Sequence, residues 1–600
     1  MTDLYTQIDV SEITDDNLGR FLKDLRDAHV NVLLLSAIDL FPDDAERPGI
    51  FARIRGLIDF FKAEGFRVAL WINSLGYGTE RTPAFEARFA DSLRLTAFGG
   101  QTCAAICTTD KKFRDACCEL ARDLARAGAD MILWDDDLVQ SVRPGFCCVC
   151  PGHLALMSRR LGRGCTPDEL RDSFTGAPNP LRTAFMDVMG QSMTDFCRAL
   201  REAVDEVDPA IPMGLCASYT HYDLEGVELS DLLRVLAGQG KPFLRISGAA
   251  YWPVIAPRYP GQDLGGVAEF VRMQLGWLRV DPDPDLTVID ENDPYPRDHN
   301  VVPAALCELY DAVMIANGGT HRHKYMLCYG ADRHDTAYLD AHVAALDDHR
   351  ALAAMFEGRL PTGVRVLHPM HLIRKADLPT PYCGDGRLMS SFSHPMAGIF
   401  MSLFGIPTRY EGGVTRTAPG IAFGSDAIGL TDAQLRAGLL LDLPAARILT
   451  GKGIDVGPLP EEGKPFVPTV TETPDGRFCV LPLDGGTLSY ARKETAPASV
   501  PDGQRLLAEA YEALSGHALD ARMEGAHGVW LLASRRVPDD GTLSLLLCNM
   551  LPTPARDVRV RLFGSGAVVG TLNCSPTIDG DTLTLPGIPG YAYAAVTVRL

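Results

Sequence analysis

From the N-terminus to about residue 357, short runs of consecutive apolar residues alternate with longer stretches whose apolar positions recur at helical spacing. A continuous apolar run suits a strand buried on both faces, and an amphipathic stretch suits a helix covering it, so the pattern predicts a parallel sheet wrapped by helices. Strands are expected at Tyr5–Val10, Asn31–Ile38, Arg67–Asn73, Asp130–Asp137, Pro212–Tyr219, Pro242–Tyr251, Leu286–Glu291 and Lys324–Tyr329. Helices are expected near 15–28, 49–64, 111–127, 180–206, 228–238, 264–278, 302–317 and 335–357, several opening at Asp or Ser or closing at Gly. Eight strand–helix units in this length fit a (β/α)8 barrel, with a doubly wound open sheet as the structural alternative. No Gly-x-Gly-x-x-Gly follows the first strand, which counts against a dinucleotide site.

The pattern changes twice more. Beyond about residue 360, Gly363-Val-Arg-Val-Leu-His-Pro, a helix-like 389–404, Gly405-Ile-Pro407, Gly420-Ile-Ala-Phe-Gly and the 432–450 stretch predict a smaller α/β domain. From about 527 the strand-like runs Gly528-Val-Trp-Leu-Leu-Ala, Thr542-Leu-Ser-Leu-Leu-Leu-Cys, Asp557-Val-Arg-Val-Arg-Leu and Tyr591-Ala-Tyr-Ala-Ala-Val-Thr-Val are separated by Pro, Gly and Asp turns, which predicts a small antiparallel β domain. The expected division is 1–358, 359–520 and 521–600.

Two of the predicted barrel strands end in acid: Ile132-Leu-Trp-Asp135-Asp136-Asp137 and Leu286-Thr-Val-Ile-Asp290-Glu291. Buried charge costs several kcal/mol unless paired, so acid clustered where a strand stops suits a cleft rather than a core. In a (β/α)8 barrel both ends face one mouth, where two carboxylates at a separation of about 5 to 10 Å serve glycoside hydrolysis. Crowded carboxylates raise at least one pKa, as a general acid requires. The plainer readings are a solvated turn or helix cap for the aspartates and an ion pair with Arg245 or Arg297 for Glu291. Around the same mouth, Trp71 and Asn73 end the third strand, His221 and Tyr222 follow the fifth, and Tyr251 and Trp252 follow the sixth. With Arg245 they are the expected sugar-facing residues, by stacking or by bonding hydroxyls. His321 and His323 before the eighth strand are expected either at the mouth or in an exposed loop.

A formal charge of −20, with no basic stripe, opposes nucleic acid and anionic lipid as partners. No apolar run reaches the ~18 residues of a membrane span, and Met-Thr-Asp-Leu-Tyr-Thr-Gln has neither the basic flank nor the apolar core of a secretory signal, so a cytoplasmic location is expected. Sixteen Cys are then reduced thiols or metal ligands rather than a disulfide framework. Cys107, Cys148, Cys150 and His153 form a Cys3His set, the closed tetrahedral chemistry of structural zinc, with Cys103 and Cys147 as competing ligands.

The acidic end of strand four, the Cys148-Val-Cys150-Pro-Gly-His153 loop after it, the upstream Cys107 and the strand-seven Glu291 together resemble family 42 β-galactosidases of the retaining (β/α)8 clan. There strand four ends in Asn-Glu, a Cys-x-Cys-x-x-Cys zinc loop follows, and strand seven carries the nucleophilic Glu. The resemblance implies Glu291 as nucleophile, Asp137 as acid/base with Asp136 as the alternative, and structural zinc with no catalytic cofactor. It also implies a flavodoxin-like, trimerisation-type middle domain, a small β domain after it, and a homotrimer or dimer. His replaces the last Cys, and Asp136 stands where the family has Asn. The expected activity is a retaining exo-glycosidase acting on small oligosaccharides or glycosides, β-galactosides being the family's commonest choice. A zinc-dependent hydrolase and a non-catalytic carbohydrate-binding scaffold are the alternatives.

Overall fold

A computed structural model describes the chain apart from residues 1, 38–40, 43–44, 142–143, 218–220, 222, 247, 249–263, 281, 296, 319–320, 331–332, 371, 376, 379–394, 411–417, 485–499 and 527. Its N-terminal part is a closed barrel of eight strands: β1 (Leu4–Asp9), β2 (Val32–Ser36), β3 (Arg67–Ile72), β4 (Met131–Trp134), β5 (Met213–Ala217), β6 (Phe243–Ile246), β7 (Thr287–Asn292) and β8 (His321–Lys324). Each is parallel to its chain neighbours, and β8 closes on β1 through Leu4↔Arg322 and Tyr5↔His323. The doubly wound alternative is thereby excluded. Helices lie in all eight expected places, from Leu18–Asp27 to Ala337–Phe356. Their ends follow local chemistry: Asp110 accepts from the Phe113 N–H at 2.8 Å to open Lys111–Ala127, and Gly128 closes that helix in the left-handed region.

Alternation along the strands sorts side chains into two layers. Tyr5, Val32, Leu34, Ala69, Trp71, Leu133, Cys216, Phe243 and Ile289 fill the barrel interior, while their chain neighbours Leu33, Leu70, Trp134 and Leu244 pack outward against the helices.

The eighth strand differs from expectation, lying at His321–Lys324 rather than Lys324–Tyr329. His-Arg-His-Lys looks like a loop because its burial is polar. Outward, the Lys324 ammonium donates to Glu308 at 2.5 Å and Asp311 at 2.8 Å, 3.3 Å from His342 Nδ1, and Arg322 lies 3.3 Å from His349 Nδ1. The chain goes on to a hairpin of Cys328–Gly330 and Arg333–Asp335.

The middle region builds a six-stranded sheet in the order Thr408–Arg409, Val364–Val366, Gly420–Ala422, Leu439–Leu441, Gly476–Val480, Thr471–Thr473. All but the last are parallel, and in chain order they run 2-1-3-4-5 with an antiparallel edge, the flavodoxin-like winding. The C-terminal part is two antiparallel sheets, one of five strands and one of four. Arg359–Thr362 pairs antiparallel with Val529–Arg536, so these residues join the C-terminal sheet. The helix Leu264–Val280, which leads into β7, is fastened to the middle region: Arg272 donates to Thr408 O at 2.6 Å, the Tyr410 hydroxyl to Glu269 at 2.5 Å, and Trp277 Nε1 to His368 O at 2.7 Å. No helix among the described residues is long and apolar enough to cross a membrane.

Removing the ammonium of Lys324 leaves Glu308 and Asp311 buried without their shared cation. Lys324→Met is therefore expected to lower unfolding free energy by about 3 to 5 kcal/mol, read as a fall in the calorimetric unfolding temperature. A change of under 1 kcal/mol would show the network to be dispensable.

Candidate active site

The strand ends β4, β6 and β7 meet over Arg245, which projects inward from β6 and is almost wholly buried. Its Nη2 lies 3.3 Å from Asp135 Oδ1 and 3.0 Å from Glu291 Oε1, so one nitrogen joins the acidic end of β4 to that of β7. Its Nη1 is 3.2 Å from the Tyr325 hydroxyl and 3.4 Å from His323 Nδ1, and the guanidinium carbon stands 5.1 Å from the Trp71 ring centroid. Tyr325 in turn donates to Glu291 Oε1 at 3.3 Å. Arg297 lies over the Tyr325 ring at 4.4 Å and forms a two-point ion pair with Asp293 at 3.0 and 2.9 Å.

These contacts set the charge states. Burial pushes Glu291 up to about 8, although Arg245 pulls the other way; Asp293, Asp136 and Asp135 add to the rise. Burial, helped by Arg245 and Arg297, keeps His323 neutral. Burial also opposes charge on Arg245, but Cys216, Glu291, Tyr325 and Asp135 around it outweigh that and hold it cationic.

The three aspartates after β4 have three different environments. Asp137, expected as the acid, is fully buried and engaged with the loop after β3: it accepts the Ser74 N–H at 2.9 and 2.8 Å and the Gly76 N–H at 2.6 Å, with Arg81 at 3.6 Å. It anchors the loop after β3. That loop needs Gly76, whose φ of +99° lies in the left-handed region and whose Cβ position is 3.5 Å from the Arg81 guanidinium. Burial first, then the neighbouring Asp135, pushes Asp137 up to about 7. Asp135 accepts from the Tyr77 hydroxyl on its second oxygen. Asp136 is half-buried, and its charge is felt by both Glu291 and Tyr77. Asp290 is turned away from Glu291 and fully buried, toward Tyr310.

Of the expected sugar-facing residues, Trp71, Asn73 and Arg245 are buried along the barrel mouth. Trp71 Nε1, Asn73 Oδ1 and Arg245 Nε have no hydrogen-bond partner among the described residues, three polar atoms that a hydroxylated ligand would satisfy. His221 instead donates through Nε2 to Leu138 O at 2.9 Å, bracing the segment after β4. Tyr222, Tyr251 and Trp252 lie outside the described residues. His323 belongs to β8 and stacks on Tyr325 with ring centroids 4.6 Å apart. Sequence reasoning missed Tyr77 and Tyr325, which lie beyond strand ends where periodicity carries no signal. It passed over Asp135, although two-residue alternation from the inward Leu133 points to it.

A second cluster stands beside β4. A hairpin, Arg94–Thr96 with Thr102–Ile106, reaches the segment after β4 through Val149 N to Thr96 O at 2.8 Å and so brings Cys107 to Cys148, Cys150 and His153. One ligand atom from each lies within 4.8 Å of the others. Cys107 Sγ is 3.4 Å from Cys150 Sγ, 4.0 Å from Cys148 Sγ and 3.2 Å from His153 Nδ1. Edges of about 3.5 to 3.8 Å are what a tetrahedron with zinc bond lengths requires. His153 Nε2 is 2.8 Å from Ser192 Oγ, which fixes the ring with Nδ1 toward the thiols. Hydrogen bonds from Cys107 and Cys148 hold Cys150 toward thiolate, while burial holds Cys107 up. Cys147 points elsewhere, donating to Gln140 O at 2.7 Å, and Cys103 is not in the cluster.

No family model and no curated sequence matches the chain. Solved structures do match over its full length. An α-L-fucosidase, isoenzyme 2 from Paenibacillus thiaminolyticus, is 12% identical, with 100% of each chain covered and a TM-score of 0.64. A catalytic mutant of a GH42 β-galactosidase from G. stearothermophilus is 13% identical, with 100% of this chain and 98% of that one covered and a TM-score of 0.64. A β-galactosidase from Bacillus circulans sp. alkalophilus is 12% identical, with coverages of 100% and 99% and a TM-score of 0.60. The three-part fold is thus that of these proteins, at identities too low to carry chemistry across.

Asp137 binds a proton more readily folded than unfolded, since burial raises it from 3.8 to about 7. Its contribution to stability is therefore largest below pH 4, falls as pH rises, and levels off above pH 7. Asp137→Asn removes that titration, so the fall in unfolding temperature between pH 4.5 and 7.5 is expected to shrink relative to wild type. An unchanged slope would show that Asp137 does not titrate in this range.

Proposed function

We propose that the chain is a glycoside hydrolase that removes a terminal sugar from short oligosaccharides or glycosides by a retaining two-carboxylate mechanism. The observation that supports this best is the meeting of the β4 and β7 acids on Arg245. Asp135 Oδ1 and Glu291 Oε1 both lie within 3.3 Å of one nitrogen. They bring the acidic ends of β4 and β7 into one pocket, as two-carboxylate hydrolysis needs, and the retaining course is the one the sequence resemblance favours.

In this reading Glu291 is the nucleophile: Arg245 and Tyr325 fix one of its oxygens and leave the other to attack the anomeric carbon. Asp136 protonates the departing oxygen and then activates water. The choice among the three aspartates is made by elimination. Asp137 spends both oxygens on backbone N–H groups, and Asp135 places one oxygen on Arg245 and the other on the Tyr77 hydroxyl. Asp136 is half-buried and is the alternative acid that the sequence resemblance names. Trp71, Asn73 and Arg245 bind the sugar. A β-galactoside is the substrate the sequence resemblance favours.

The Cys107, Cys148, Cys150 and His153 set fits zinc, with three sulfurs and one imidazole leaving no open position, so the ion would serve structure. It would tie the β3 hairpin to the segment after β4 and steady the aspartates, and the carboxylate chemistry needs no cofactor. Such a closed shell disfavours a zinc hydrolase. The flavodoxin-like region is proposed as the surface for self-association into a trimer or dimer, in the cytoplasm, on imported glycosides.

On a panel of 4-nitrophenyl and alkyl glycosides, Glu291→Gln is expected to lower kcat by about 10³-fold or more. Asp136→Asn is expected to lower kcat/KM for the alkyl glycosides by about 10²- to 10⁴-fold while sparing kcat/KM for the nitrophenyl ones, whose turnover then waits on the base-assisted second step and is restored by azide. Turnover that survives Glu291→Gln sinks the mechanism, and wild-type protein inert on every glycoside would leave the binding scaffold instead. Elemental analysis is expected to find about one zinc per chain, reduced in Cys150→Ser. Activity abolished by a chelator without loss of fold would point to catalytic metal.

A further inference from the structure

We infer that Asp135 is a positioning residue that acts on Glu291 through Arg245, and that Tyr77, presented by the loop Asp137 anchors, holds Asp135 in that role. The inference rests on the reading of Glu291 as nucleophile and adds a control that two carboxylates alone do not have. Arg245 Nη2 is shared between Asp135 at 3.3 Å and Glu291 at 3.0 Å, so the guanidinium charge is divided between two acids. The nearer acid is the one that attacks. Asp135 cannot take the whole guanidinium, because its second oxygen is occupied by the Tyr77 hydroxyl. Tyr77 in turn stands one residue beyond Gly76, whose N–H is fixed by Asp137 at 2.6 Å. The third aspartate of the run thus sets the loop, the loop sets the phenol, and the phenol sets the first aspartate.

Every group around Glu291 enters the balance. Arg245 comes from β6, Tyr325 and neutral His323 from β8 and its continuation, Asp293 and Arg297 from the segment after β7, Tyr310 from the helix that follows, Cys216 from β5, and Asp135 with Asp136 from the end of β4. Of these, Asp135 and Arg245 are joined to each other as well as to Glu291's surroundings, and their removal has opposite effects. Asp135→Asn deletes a negative charge and frees Arg245 to pair with Glu291 alone. Both changes favour ionised Glu291. Arg245→Met removes the cation and favours the protonated form. Tyr77→Phe keeps the Asp135 charge but deletes its second donor, which throws Asp135 wholly onto Arg245 and draws the cation from Glu291.

The experiment is the pH dependence of kcat/KM on a 4-nitrophenyl glycoside that wild-type protein turns over, with the pH dependence of thermal unfolding measured in parallel. The acidic limb is expected to move down by about one pH unit in Asp135→Asn and up by about as much in Arg245→Met, with a smaller upward move in Tyr77→Phe. A merely structural role would lower kcat in all three without moving the limb in opposite directions. The unfolding profile reads the same titration without turnover: the loss of stability through about pH 8 that burial of Glu291 causes moves lower in Asp135→Asn. Wild-type protein that turns over nothing would sink the glycosidase reading and leave the unfolding profile to judge this one. A limb and an unfolding profile that stay put or move upward in Asp135→Asn overturn the inference. Should Asp135→Asn not fold, an unmoved limb in Tyr77→Phe overturns it equally.

Discussion

A single buried guanidinium organises the mouth of this barrel. Taking an ion out of water costs several kcal/mol even after relaxation, so Arg245 is tolerable only while carboxylates face it with good geometry. Asp135 and Glu291 supply that, from strands far apart in sequence, and the Trp71 face and the Tyr325 hydroxyl complete the shell. The same constraint runs in reverse. Two acids could not sit this deep without a cation between them, so the ends of β4, β6 and β7 are held together by mutual need rather than by packing alone.

Compensated burial recurs one layer out. On the far side of β8, Lys324 answers Glu308 and Asp311, and Asn292, next to Glu291, donates to Asp311 at 2.7 Å. The residue beside the proposed nucleophile is thus tied to a network that also fastens two helices. The helix feeding β7 is clamped to the middle region by Arg272, Glu269 and Trp277, so the flavodoxin-like part braces the strand that bears Glu291. On the other side, the Cys/His cluster and the Asp137 anchor fix the two segments flanking β4. The site is held from both ends of its acid pair, which suits chemistry in which small misplacements are expensive.

Strands and helices of the barrel were legible because burial on two faces and on one face leave different periodicities, and seven strands fall where the apolar runs are. The eighth was displaced because Lys324 is buried, and Arg322 half-buried, by charge pairing, which no hydrophobic pattern registers. The cysteine and histidine set was legible from ligand type and order. The acidic strand ends were legible as well, but not the division of labour within Asp135-Asp136-Asp137, since that depends on what approaches each from another strand or loop. The ion pair of Glu291 with Arg245, set out as the plainer alternative to catalysis, is present and is part of the candidate site itself.

The amino-acid order alone determined the kinds of element, their sequence along the chain and which residue types stand at the strand ends, because these follow from local periodicity and from the cost of placing charge in a core. Tertiary structure decided which carboxylates share a cation, which one anchors a loop, and that a tyrosine beyond β3 reaches an aspartate beyond β4. Such partners are separated by tens to hundreds of residues and meet only when the barrel closes, so the electrostatics that distinguish them do not exist in any local stretch of the chain.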